Sequence, residues 1–157
     1  MKNRFIDNAY LKAYNLFLDY GGLAVSAIGG AALGDPNHAD FNEASRGTLA
    51  GTGFIGAFAI PGLDSLTASG TLLYSEFDGD NTLYNEYIGS QTWRNMFTYF
   101  GAWQLMEGCK MNSPLNIATG VTFSGLALAG HIIGRRSKKE LKARIHQRND
   151  ALIPNVI

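Results

Sequence analysis

From 115 to 134 the chain runs twenty residues without an Asp, Glu, Lys or Arg, and then meets Arg135 and Arg136 directly. No other feature restricts the fold as strongly, because about 20 apolar residues in helical form are what crosses the roughly 30 Å of hydrocarbon in a bilayer. Pro114 stands just before the run, where its missing N–H costs nothing in the first turn of a helix. The pattern predicts a membrane-spanning helix whose end is held at a cytoplasmic or matrix-like surface by the cations that follow.

Three other stretches are candidate spans. Residues 14–34 hold Leu16-Phe17-Leu18 and Leu23-Ala24-Val25 with one acid, Asp19. Residues 48–68 carry an apolar run from Phe54 to Ile60, then Pro61 and Asp64. Residues 92–108 are aromatic, with Trp93, Tyr99 and Trp103, but include Arg94 and Glu107. The expected fold is therefore an all-α integral membrane protein. A glycine-rich bundle of two to four transmembrane helices occupies 1–134, with polar loops at 35–47 and 69–91, and a basic tail follows at 135–157 as a C-terminal amphipathic helix. Around the polar tip at 78–81, segments 71–74 and 82–84 also suit a small β-hairpin.

Glycine placement supports helices that approach closely. Gly22, Ser26, Gly30 and Gly34 recur every four residues and share one helical face, and shorter versions appear at Gly47 and Gly51, at Thr52 and Gly56, at Gly120 and Ser124, and at Gly130 and Gly134. Lipid supplies little hydrophobic drive between helices, so spans associate through dispersion at faces where small residues let backbones meet. In water each mid-helix glycine loses about 0.8–1.0 kcal/mol against alanine. A glycine-rich soluble or β protein, its apolar stretches covered by partner chains, is the competing reading.

The formal charge is zero but unevenly spread. Arg135, Arg136, Lys138, Lys139, Lys142, Arg144 and Arg148 face only Glu140 and Asp150 in the tail. The first six of these cations are expected on an anionic lipid surface, with Leu141 and Ile145 on one side of the same helix. Nucleic acid is not the expected partner, because no aromatic residue interrupts the basic run and no second basic segment exists. Asp19 and Asp64 lie within or at the edge of spans, where an acid needs interfacial water or a partner and by default raises a proton path. His131 has no second metal-ligating residue at helical spacing, and Cys109 is alone, so no metal site and no intrachain disulfide is expected. No nucleophile elbow, phosphate loop or zinc-protease motif occurs, so neither a catalytic residue nor a cofactor is expected.

Phe97-Thr98-Tyr99-Phe100-Gly101-Ala102-Trp103, then Glu107-Gly108-Cys109-Lys110 and Ser113-Pro114-Leu115-Asn116, lead into a helix marked by Gly120 and Gly125. Over about residues 92–134 this resembles the second-to-third helix region of the mitochondrial inner-membrane protein-translocase channel family, which also includes an accessory subunit of respiratory complex I. The resemblance implies four spans with small-residue stripes and a place in the mitochondrial inner membrane. The chain departs from that family in ending on a basic tail where another span would follow. Its expected role is a non-catalytic accessory subunit of a larger membrane complex, which the resemblance implies is a respiratory one, with other membrane subunits and anionic lipids as partners. A virus or phage membrane protein, including a holin-like pore former, is the alternative.

Overall fold

A computed structural model describes residues 2–35, 42–70 and 81–152, with no side-chain detail for several at the ends of these stretches. Every described element is helical: α1 spans Lys2–Leu33, α2 Glu43–Gly70, α3 Asn81–Met111 and α4 Pro114–Leu152. Two of the four, through Leu16–Leu33 in α1 and Pro114–Arg144 in α4, are long and apolar enough to cross a membrane.

Local chemistry sets the helix ends. Asn42 caps α2, its Oδ1 accepting from the Ser45 N–H at 2.8 Å while the Ser45 hydroxyl donates back to the Asn42 carbonyl at 3.0 Å. The last carbonyls of α1, which have no partner within their own helix, accept from Arg46: Nε donates to Ala32 at 3.1 Å and Nη2 to Leu33 at 2.7 Å. That guanidinium ties the start of α2 to the end of α1. At the α3–α4 hairpin Asn112 takes the left-handed conformation, φ 51°, and the Ser113 N–H closes back on the Gly108 carbonyl at 2.9 Å. This is the six-to-one closure that ends helices at a left-handed residue, and asparagine tolerates it better than other non-glycines. Pro114 then opens α4, its φ already helical.

Packing puts α1, α2 and α3 in mutual contact and lays the α4 backbone along α3, so that no described Cα of α1 lies within 8 Å of one in α4 and those two helices meet through side chains. The α1–α2 crossing is backbone on backbone: a Cβ placed on Gly29 would meet the Gly53 Cα at 2.5 Å and the Leu49 carbonyl oxygen at 2.6 Å. The α3–α4 contact is aromatic, with Phe97 stacked on Phe123 at 5.7 Å and Phe100 beside it at 6.1 Å. The Tyr99 hydroxyl donates to the Ala50 carbonyl at 3.2 Å and links α3 to α2.

Two expectations change. Residues 82–84 are the first turn of α3 rather than a hairpin strand, while 71–74 lie outside the described residues. The polar loop expected at 69–91 is helical at 69–70 and again from 81 onward, and the one expected at 35–47 is already α2 from Glu43. Hydropathy does not separate a loop from a polar helical turn, and this part of α3 buries Tyr87, Ser90 and Gln91. The basic segment is the direct continuation of α4, with no glycine or proline between 135 and 152 to interrupt it. At 1.5 Å per residue a 39-residue helix is about 58 Å long, roughly twice a hydrocarbon thickness.

Candidate functional site

The α1 stripe faces α3. A Cβ on Gly30 would overlap the Tyr99 carbonyl oxygen and stand 2.9 Å from its carbon, one on Gly34 would overlap the Trp103 carbonyl, and one on Gly22 would overlap the Asn95 amide. Ser26, between them, is fully buried. Gly56 meets Val25, Gly120 meets the Leu105 backbone nitrogen at 2.8 Å, Gly130 the Arg94 backbone nitrogen at 3.2 Å, and Gly134 the Ser90 hydroxyl at 2.5 Å. Ser124 bonds back to the Gly120 carbonyl at 2.9 Å, which satisfies its hydroxyl within α4. These residues therefore join helices of this chain to one another. Gly47 and Gly51 do not, since nothing lies within 4 Å of a Cβ at either.

Four-residue spacing passes over Gly29, Gly101 and Gly108, each pressed against a neighbouring helix. Val25 and Leu33 flank Gly29 at that spacing, and Phe97 and Leu105 flank Gly101, so a single close approach leaves no repeat to detect.

Because α1 and α4 stand apart, a cavity of about 630 Å³ opens between them over α3. Asp19 projects into it from α1 and receives Lys138 of α4 in a two-pronged ion pair, at 2.6 and 2.7 Å. The Tyr87 hydroxyl of α3 donates to the same carboxylate at 3.0 Å, and the Lys138 ammonium lies 5.4 Å from the Tyr87 ring centroid. Beside this cluster Arg135 donates to the Tyr20 hydroxyl at 3.2 Å. His131 packs 6.3 Å from the Tyr20 ring, centroid to centroid, on the cavity wall.

Arg94 lies deeper. Seven residues along α3 from Tyr87 set its Cα about 10 Å further along the helix at 1.5 Å per residue, and it is only 5% exposed. Its Nε and Nη2 both donate to the Oδ1 of fully buried Asn95, at 3.1 and 3.0 Å, and no described carboxylate stands within 4 Å of it. Among the described residues five cations, Arg94, Arg135, Lys138, Lys139 and Lys142, thus line the cavity with one carboxylate, Asp19.

No family model, curated protein or solved structure matches the chain.

Of the tail cations expected at a lipid surface, Arg135, Lys138, Lys139 and Lys142 converge on this cavity, whereas Arg136 faces away and Arg144 pairs with Glu140 at 3.0 Å along α4. Asp19, expected to need interfacial water or a partner, has Lys138 and Tyr87. The Asp64 side chain lies outside the described residues. Among the described residues no three of His, Cys, Asp and Glu come together as a metal-binding group.

Proposed function

We propose that this chain is an integral membrane scaffold, a non-catalytic structural subunit that docks other membrane proteins through the outer face of α2. The observation that carries this reading is an inverted distribution of polarity. Ser26, Ser90, Gln91, Arg94, Asn95 and Ser137 are buried, while Leu16, Ile55, Leu115, Val121, Leu128 and Ile132 are each more than half exposed. In water that arrangement loses stability on both counts, because buried polar groups forfeit hydration and large exposed apolar area drives association. In hydrocarbon the outer residues are solvated by lipid, and the polar ones face inward, away from the acyl chains.

The docking assignment rests on Gly47 and Gly51, which leave open space on α2 beside exposed Phe54, Ile55 and Phe58. Small residues flanked by large apolar ones allow another helix to approach closely. The mitochondrial inner membrane and a respiratory assembly are proposed on the resemblance at 92–134 alone. Alkaline carbonate extraction of native membranes followed by a native gel tests both parts. The reading requires the chain to stay with the membrane pellet and to migrate in an assembly much larger than its own 17.0 kDa. Release into the carbonate supernatant contradicts membrane integration, and migration as a lone chain in mild detergent contradicts the subunit role.

A further inference from the structure

We propose that the cavity between α1 and α4 binds the phosphate of an anionic phospholipid headgroup, with Arg94 as its deep anchor and Arg135, Lys139 and Lys142 at its mouth. The inference rests on the membrane reading above. Its first support is a charge imbalance: among the described residues five cations line the cavity with Asp19 as the single carboxylate, and Lys138 already occupies that carboxylate. The second is Arg94, a nearly buried guanidinium on the cavity wall whose bonds go to a neutral amide rather than to an anion. Asp19 supplies part of the counter-charge across the cavity, but Lys138 holds it and no hydrogen bond joins it to Arg94, so a phosphate within reach supplies a directly bonded anion through charge-assisted hydrogen bonds. Its volume, about 630 Å³, falls within the roughly 300–1,000 Å³ of small-molecule sites.

Phosphate chemistry is shared by lipids and by soluble phosphate esters, and the position of the cavity selects the lipid. Its walls are α1 and α4, the two helices apolar enough to span a bilayer, and their backbones do not close on one another anywhere along the described chain. Leu16 and Tyr20 on the α1 wall give the acyl chains of such a lipid apolar surface at the cavity.

The test uses the full chain in nanodiscs of phosphatidylcholine with graded phosphatidylglycerol, and reads the mole fraction of phosphatidylglycerol that gives half of the maximal rise in thermal midpoint. Two double variants remove equal charge from the same stretch of α4: Arg135→Gln with Lys142→Gln at the cavity, and Arg136→Gln with Arg144→Gln away from it. The expected result is a rise of roughly tenfold in the half-maximal mole fraction for the first pair, a loss of about 1.4 kcal/mol, with less than about a twofold rise for the second. Arg94→Gln is expected to lower the midpoint more in phosphatidylglycerol than in phosphatidylcholine, since it removes the deep cation that bonds the headgroup phosphate. Equal effects of the two pairs would overturn the site in favour of general surface attraction. Stabilisation by inorganic phosphate in pure phosphatidylcholine discs, with nothing added by phosphatidylglycerol, would overturn the lipid assignment. Failure of the wild-type chain to enter nanodiscs would remove the membrane reading and this site with it, whereas entry without lipid preference would remove the site alone.

Discussion

Gly30→Ala adds one methyl group at the tightest point of the α1–α3 contact. Carbon atoms in contact sit about 3.5–4.0 Å apart, but the new Cβ would stand 2.9 and 3.1 Å from the Tyr99 carbonyl carbon and Cα and would overlap the carbonyl oxygen. Every one of these is a backbone atom, so no rotamer change relieves the clash and the helices must separate by about 1 Å. Overpacking costs about 1–3 kcal/mol where side chains share the adjustment, and here the upper end applies. Against it stands a gain of about 0.8–1.0 kcal/mol from replacing a helical glycine by alanine, a value taken from aqueous helices. The net expectation is a destabilisation of about 2 kcal/mol. Gly47→Ala carries only the gain, because nothing lies within 4 Å of its added carbon. The two variants should therefore move reversible unfolding in mixed micelles, followed by helical circular dichroism, in opposite directions and differ by about 3 kcal/mol. A Gly30→Ala protein as stable as the wild type, or a Gly47→Ala protein that is weakened, would refute the assignment of the α1 stripe to α3.

Three other outcomes follow from the same geometry. Gly51→Leu should leave the isolated chain within about 0.5 kcal/mol of wild type, as surface substitutions usually do, yet reduce its share in the native-gel assembly; an unchanged assembly would remove α2 as the docking face. A double-mutant cycle between Asp19→Asn and Lys138→Gln should give a coupling of roughly 0.5–1 kcal/mol, the scale of a solvent-accessible ion pair, measured by the same unfolding assay, and zero coupling would mean the pair does not hold α1 to α4. Arg46→Gln should lower stability by about 1–2 kcal/mol, because it strips a charged donor from the Ala32 and Leu33 carbonyls; no change in unfolding would mean that water or lipid headgroups serve those carbonyls equally well.

The sequence makes α4 visible because nothing charged interrupts residues 115–134, and hydropathy needs no partner to be read. It makes α3 obscure for a physical reason. Ser90, Gln91, Arg94 and Asn95 lower the apparent apolarity of that helix, yet all four are buried, and a hydropathy sum counts an inward-facing residue as if it met lipid. The small-residue spacing marks one face of α1 but cannot name α3 as the helix it meets, since Gly30 and Tyr99 are far apart in the chain. For the same reason the cavity has no linear signature. Asp19, Tyr87 and Lys138 come from three helices and converge only when α1 and α4 both pack on α3 with their backbones apart.

The central claim is that the bundle lies in a bilayer with α4 crossing it, which puts the α3–α4 hairpin and the basic end of α4 on opposite sides. Cys109, the one cysteine of the chain, is exposed near that hairpin, and Arg136 and Lys139 are exposed past the uncharged stretch 115–134 of α4. In sealed vesicles of uniform orientation, a membrane-impermeant maleimide and added trypsin report the two ends separately. The account predicts that only one of them reacts before detergent is added, and that both react afterwards. Labelling of Cys109 together with cleavage of the tail in intact vesicles would place both ends of α4 on one side and contradict it.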